Sequence, residues 1–188
     1  MNEILNIFKE SAEIKINFAK DNAARIEEVV NVIVTILQRG KKILIFGNGG
    51  SAADAQHIAA ELVNRYILDR NPLPALALTT DTSIITSISN DFSFDEIFSK
   101  QINALGRKGD IAWGITTSGQ SRNVVRAFKT ARELGLITLG FTGNDGGEAA
   151  ALADYNFNVN CESTPRIQET HITLAHVICE LVEKRMAK

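Results

Sequence analysis

The sequence predicts an α/β fold: a doubly wound parallel sheet flanked by helices, with an N-terminal helical hairpin. Three observations carry this. Short apolar runs alternate with stretches of helical periodicity from residue 43 onward, the pattern of parallel strands buried on both faces by crossover helices. Loops rich in glycine and hydroxyl side chains follow those runs, at the strand ends where ligands bind in open α/β sheets. Residues 3–38 carry helical periodicity before any strand begins.

In that leading segment Ile4, Leu5 and Phe8, then Ile26, Val29, Val30, Ile33, Ile36 and Leu37, recur at helical spacing. Asp21 reads as a cap between two helices and Gly40 as a stop. The alternation then runs strand 43–46, helix 51–66, strand 75–78, a broken helix 82–105 and strand 110–115. It continues as helix 121–134, strand 137–141, a short helix 148–152, strand 155–159 and a final helix 165–185. A helical hairpin ahead of a complete sheet covers an edge or packs on another subunit, so a homo-oligomer is expected.

The chain has 188 residues, 45% of them hydrophobic, enough for one buried core and too few for two ordinary domains, so a single domain over 1–188 is expected. Twenty Lys and Arg against twenty-two Asp and Glu give a net charge of −2, which offers no bulk attraction to nucleic acid or anionic membrane. Residues 1–20 mix charge into the apolar positions, unlike a secretory signal, and no run approaches the length of a membrane span. Cys161 and Cys179 lack CxxC spacing, which suits a reducing compartment and a cytoplasmic location.

Two loops invite an anion. Gly47-Asn48-Gly49-Gly50-Ser51 leads straight into a helix, where glycines admit close approach and free N–H groups meet the positive end of the helix dipole. Thr116, Thr117, Ser118 and Ser121 crowd a second strand-to-helix turn around Gly119. One hydroxyl would serve as a helix cap; their density points to ligand binding by several. No GxxxxGK[ST] motif is present, which argues against a P-loop NTPase and for a small phosphate ester. Gly47, Gly49 and Ala52 also match GxGxxA, so a nucleotide-dependent oxidoreductase with Asp81 on a ribose stays open here.

Polar side chains also interrupt two apolar helices. His57 and Glu61 are four residues apart, on one face and within mutual reach, among Ile58, Ala59, Ala60, Leu62 and Val63, so they are expected to stand out from a buried surface. In the last helix Gln168 and His176 fall about 80° apart, while His171 and His176 fall about 140° apart. Periodicity does not choose between the two histidines. Brought together, His57, Glu61, Gln168 and His176 form an N/O ligand set compatible with zinc or another divalent ion. A carboxylate plus an imidazole are equally the groups that move a proton between adjacent sugar carbons.

The segments FGNGGSAADAQHIAAELVNRY, TSISND, TTSGQSRNV, FTGNDGGE and RIQETHI followed by HVICELVE resemble, in order and over essentially the whole chain, the bacterial phosphoheptose isomerases of the SIS family. The resemblance implies an SIS-type fold and an aldose-ketose isomerase. The reaction it implies converts sedoheptulose 7-phosphate to D-glycero-D-manno-heptose 7-phosphate, supplying heptose to lipopolysaccharide or surface polysaccharide. It further implies Glu61 as general base with His176 as acid partner, and one zinc per subunit on His57, Glu61, Gln168 and His176. Substrate contacts are implied at Asn48, Gly49, Gly50, Ser51, Glu61, Asn90, Asp91, Thr116, Thr117, Ser118, Ser121 and Gln168, in a homotetramer with sites between subunits. Where some relatives carry an acidic residue before RIQE this chain has Pro165, and that contact is not carried across. Two alternatives stay open: a non-catalytic regulator of the same fold that binds the replication initiator, and an isomerase of another sugar phosphate. The regulators are described as lacking the carboxylate and histidine pair, whereas Glu61 and His176 are both present.

Overall fold

The structure is a computed structural model that describes residues 2–187; Met1 and Lys188, the ends of the expected domain, lie outside the described residues. Five strands, β1 (Ile43–Gly47), β2 (Ala75–Ala77), β3 (Ile111–Thr116), β4 (Ile137–Gly143) and β5 (Tyr155–Val159), form one sheet in the order β2-β1-β3-β4-β5. All four pairings are parallel. The helices are α1 (Asn2–Gln38), α2 (Gly50–Val63), α3 (Thr82–Asp91), α4 (Ile97–Leu105), α5 (Arg122–Glu133), α6 (Gly147–Leu152) and α7 (Thr164–Met186). A single 3-10 turn at Phe94–Glu96 makes the break expected between α3 and α4.

Alternation along each strand sends side chains to two separate cores. Ile43, Ile45, Trp113, Ile115, Phe141 and Phe157 pack under α1, α2 and α7, whereas Leu44, Phe46 and Ala112 meet α4, α5 and α6. On the second face Gly114 makes room for rings: a Cβ there would stand 2.6 Å from Phe128 and 3.0 Å from Phe46. Phe46 accordingly packs on Phe98 and Phe128 with centroids 5.3 and 5.8 Å away. Buried aromatics of this kind contribute about 2–3 kcal/mol each.

The expected N-terminal hairpin is corrected: α1 is one helix of 37 residues. Asp21 does not cap a second helix, because Asp-Asn-Ala-Ala at 21–24 contains no breaker and residues 2–38 contain neither Gly nor Pro. Asn22 turns its amide back onto the Phe18 carbonyl at 2.9 Å, a bond made within a continuing helix. The C-terminal half of α1 is buried through Ile26, Val29, Val30, Ile33, Ile36 and Leu37, while Ile4, Leu5, Ile7 and Phe8 remain exposed, Phe8 at 72%. Among the described residues no helix is long and apolar enough to cross a membrane.

The strand order places a switch point between β1 and β3. The chain leaves β1 toward β2 on one side and returns to β3 on the other, so the loops after β1 and β3 diverge around a crevice.

Candidate active site

Both hydroxyl-rich loops sit at that crevice. Gly47 is obligatory, since a Cβ there would lie 2.8 Å from the Ile115 carbonyl and from Ser51 Cβ. Gly49 turns the chain with φ +55°, and Ser51 is buried in the first turn of α2, whose N-terminus has no side-chain cap. The start of α5 is uncapped as well. There Thr116 Oγ1 shares a hydrogen bond with Ser121 Oγ at 3.0 Å, and Ser118 Oγ accepts from Gln120 N at 3.2 Å. The two loops are joined by reciprocal amides: Asn48 Nδ2 donates to Asn123 Oδ1 at 2.9 Å, and Asn123 Nδ2 donates to Asn48 Oδ1 at 2.8 Å. Asn123 was not singled out from the sequence; it is buried, and only the fold reveals its partner.

Of the remaining substrate-contact candidates, Asn90 and Asp91 end α3, are exposed, and bond to each other at 2.9 Å. Asp81 caps α3 by accepting from Ile84 N at 2.9 Å, which gives it a structural task in place of a ribose contact.

The polar stripes of α2 and α7 meet. His57 Nε2 lies 3.0 Å from Glu61 Oε1 and 3.1 Å from His176 Nε2. One ligand atom from each of the three residues falls within 4.8 Å of the others. Two imidazoles and a carboxylate at that separation are the donor set zinc takes in three-ligand sites. Burial differs from expectation: the His57 side chain is 48% exposed and that of Glu61 23%. The buried face of α2 runs through Ser51, Ala55, Ile58, Ala59 and Leu62, and the 100° step leaves positions 57 and 61 on its rim.

Gln168 takes a different place. Its carboxamide lies over Gly50, with Nε2 2.6 Å from where a Cβ would stand. The Gly50–Gln168 and His57–His176 contacts show that α2 and α7 run side by side in the same direction. Gln168 therefore stands at the phosphate-loop end, eight residues and about 12 Å of helix rise before His176. Asp54 lies on the same rim between Gly50 and His57; its Oδ2 is buried without a hydrogen-bond partner, and burial raises its pKa against the opposing pull of His57.

The two histidines of α7 have different surroundings, His176 meeting His57 on α2 and His171 lying in the core. His171 is a core residue whose Nε2–H donates to the Thr142 carbonyl at 2.9 Å, and burial lowers its pKa to about 4. The folded state thus keeps it neutral while the unfolded chain protonates it near pH 6.5. Its stabilising contribution is complete above that pH and is lost as pH falls from 6.5 toward 4, because the unfolded state then binds the extra proton. Urea unfolding over this range should show wild type losing stability faster than His171→Gln, by up to about 1.4 kcal/mol per pH unit. Equal slopes would contradict the neutral assignment.

A parallel sheet whose switch point carries two loops opening onto uncapped helix starts, with an imidazole–carboxylate cluster further along α2 and α7, is the arrangement of an SIS domain, and the family model described as SIS domain matches residues 7–143. The phosphoheptose isomerase of Aquifex aeolicus is 54% identical over all of this chain and 98% of its own. Solved phosphoheptose isomerases from Neisseria gonorrhoeae (43% identity, TM-score 0.91) and Francisella tularensis (35%, 0.93) superpose over 97% of this chain and 98% and 97% of theirs. The chain belongs to the phosphoheptose isomerase family of SIS-domain proteins.

Proposed function

We propose that the protein interconverts sedoheptulose 7-phosphate and D-glycero-D-manno-heptose 7-phosphate by proton transfer through an enediolate, for heptose supply to surface polysaccharide. The observation that carries this is the His57–Glu61–His176 cluster, with His57 seven residues, about 10 Å of helix rise, along α2 from its uncapped start. An acid/base pair separated from an anion cradle by about the length of an extended sugar phosphate is what moving a proton at its far end requires. The names of the relatives favour this reading over a regulator of the same fold.

In the forward direction Ser51, Thr116, Thr117, Ser118 and Ser121 hold the phosphate, and Asn48, Gly49, Gly50, Asn90, Asp91 and Gln168 contact the sugar. Glu61 removes a proton from C1; the C–H electron pair forms the C1=C2 bond and the carbonyl electrons move to O2, which takes a proton from His176. His176 then accepts the proton of O1 as the C1 aldehyde forms, and Glu61 returns its proton to C2. His57, Glu61 and His176 are the residues that would hold zinc, while Gln168, over Gly50 at the other end of the groove, stands apart from that cluster in the subunit. Bound there, zinc supplies polarisation of the substrate carbonyl.

The protein works in this reading as one SIS domain over 1–188, in the cytoplasm, without nucleic acid or membrane partners. A homotetramer with sites between subunits is supported by the exposed apolar start of α1 and by the half-open His57.

Ser51→Ala should raise KM for the sugar phosphate by about tenfold and change kcat less, since one hydrogen bond to a charged group is lost. Steady-state kinetics check this, and an unchanged KM would remove Ser51 from the cradle. The function itself is tested by proton NMR of the purified protein with sedoheptulose 7-phosphate, a ketopentose phosphate and an amino-sugar phosphate. Aldose anomeric signals from the heptulose first are expected; signals from another sugar alone would reassign the substrate, and none would overturn the reading.

A further inference from the structure

Glu183 stands on α7 seven residues beyond His176, two turns along the same face. It is 1% exposed, an unusual place for a carboxylate. Burial alone raises its pKa, yet the net shift is downward because three backbone N–H groups and the Arg70 guanidinium hold the charged form. Those donors are Tyr66, Ile67 and Leu68, at 2.8, 2.7 and 2.8 Å. Arg70 Nε lies 3.3 Å from Glu183 Oε1, and its other nitrogens cap α2: Nη2 donates to the Glu61 carbonyl and Nη1 to the Leu62 carbonyl, each at 2.8 Å.

The segment held in this way carries the Tyr66 ring, whose centroid is 5.6 Å from that of the His176 imidazole. A buried ion pair adds little net stability compared with apolar packing of the same volume, so its presence calls for a reason other than stability. This one spans the two helices that bear the proposed acid and base.

We infer that Glu183 is a positioning residue for the isomerisation: through Tyr66 it sets the His176 imidazole, and through Arg70 it sets the end of the helix that carries Glu61. The inference rests on the roles proposed for Glu61 and His176. Removing the clamp lets the Tyr66 segment drift and the imidazole lose its neighbour, and supporting residues of this kind are worth about 10–100-fold in activity.

The test compares wild type with Glu183→Gln, Glu183→Asp, Tyr66→Leu and Tyr66→Phe by carbon–proton NMR of the histidine rings and by steady-state kinetics. The chain has three histidines, and buried His171 serves as an internal reporter of the folded core. The His176 resonance should move in Tyr66→Leu and in both Glu183 variants, with His171 in place. kcat should fall about tenfold with KM within about twofold. Tyr66→Phe keeps the ring and should recover most of what Tyr66→Leu loses, and Glu183→Gln should cost less in the Tyr66→Leu background than alone. An unmoved His176 resonance in the folded Glu183 variants overturns the inference, as does loss of the His171 signal in both, which would make Glu183 a residue of the fold only. If wild type does not isomerise the sugar, the functional reading fails, while the His176 resonance still judges the clamp.

Discussion

Glu61→Gln is expected to lower kcat by about 10²–10⁴-fold with the fold intact, the range that a positioned general base contributes. The substitution keeps the shape of the side chain and its place on the rim of α2. No buried cation is stranded, because Arg70 bonds the main-chain carbonyl of Glu61 and not its carboxylate, whose neighbour is His57. The Gln side chain can still accept a hydrogen bond near His57 but cannot take a proton from carbon. His176→Ala should cost a comparable factor, and the double variant little more than either alone, since the two act as one unit. Steady-state kinetics beside thermal unfolding check this; a folded Glu61→Gln protein turning over at the wild-type rate would remove Glu61 from the base role.

Gly119→Ala should be the most destabilising single methyl addition at the site, by roughly 3 kcal/mol or more. Gly119 has φ +66°, and a Cβ there would lie 2.1 Å from the Gly146 carbonyl oxygen and 2.4 Å from its carbon. Backbone atoms cannot step aside as a side chain can. The Gly119 carbonyl also accepts from Ala149 N at 3.0 Å, and Asn144 Nδ2 bonds the Thr117 carbonyl at 3.2 Å, so the hydroxyl loop is braced by the loop after β4. Gly49→Ala is the control: φ +55° and ψ −121° disfavour an L side chain but nothing lies within 4 Å, so only the conformational cost of about 1–3 kcal/mol is expected. Urea unfolding of the two variants separates clash from conformational strain, and equal losses would contradict the close approach of the two loops.

Much of this was legible in the chain. The apolar runs marked the central strands β1, β3 and β4 because strands buried on both faces are largely apolar. The edge strands β2 and β5 are partly exposed, with Asn156 and Asn158 in β5. The loops after the first and third strands carried their glycines and hydroxyls in plain view. His57 and Glu61 declared themselves by a local i,i+4 rule. What lay hidden depends on distant partners. The choice of His176 over His171 needs the packing of α2 against α7, and the placement of Gln168 over Gly50 needs their parallel course. Asp21 looked like a cap because Asp favours caps, but a helix ends only where something breaks it or tertiary packing diverts the chain, and α1 continues against α7. Asn123, Tyr66 and Glu183 act through contacts 75 to 117 residues away in sequence, which no periodicity encodes.

Proton transfer at adjacent carbons of a phosphorylated ketose leaves an isotopic trace in its product. Incubating the purified protein with sedoheptulose 7-phosphate in heavy water and following the product by proton NMR reads that trace. Aldose anomeric signals with solvent deuterium at C2 are expected, from exchange on Glu61 between removal and return. Aldose formed with full retention of the substrate hydrogen, at low conversion and in a catalyst-dependent reaction, would point to direct hydride shift and contradict the enediolate.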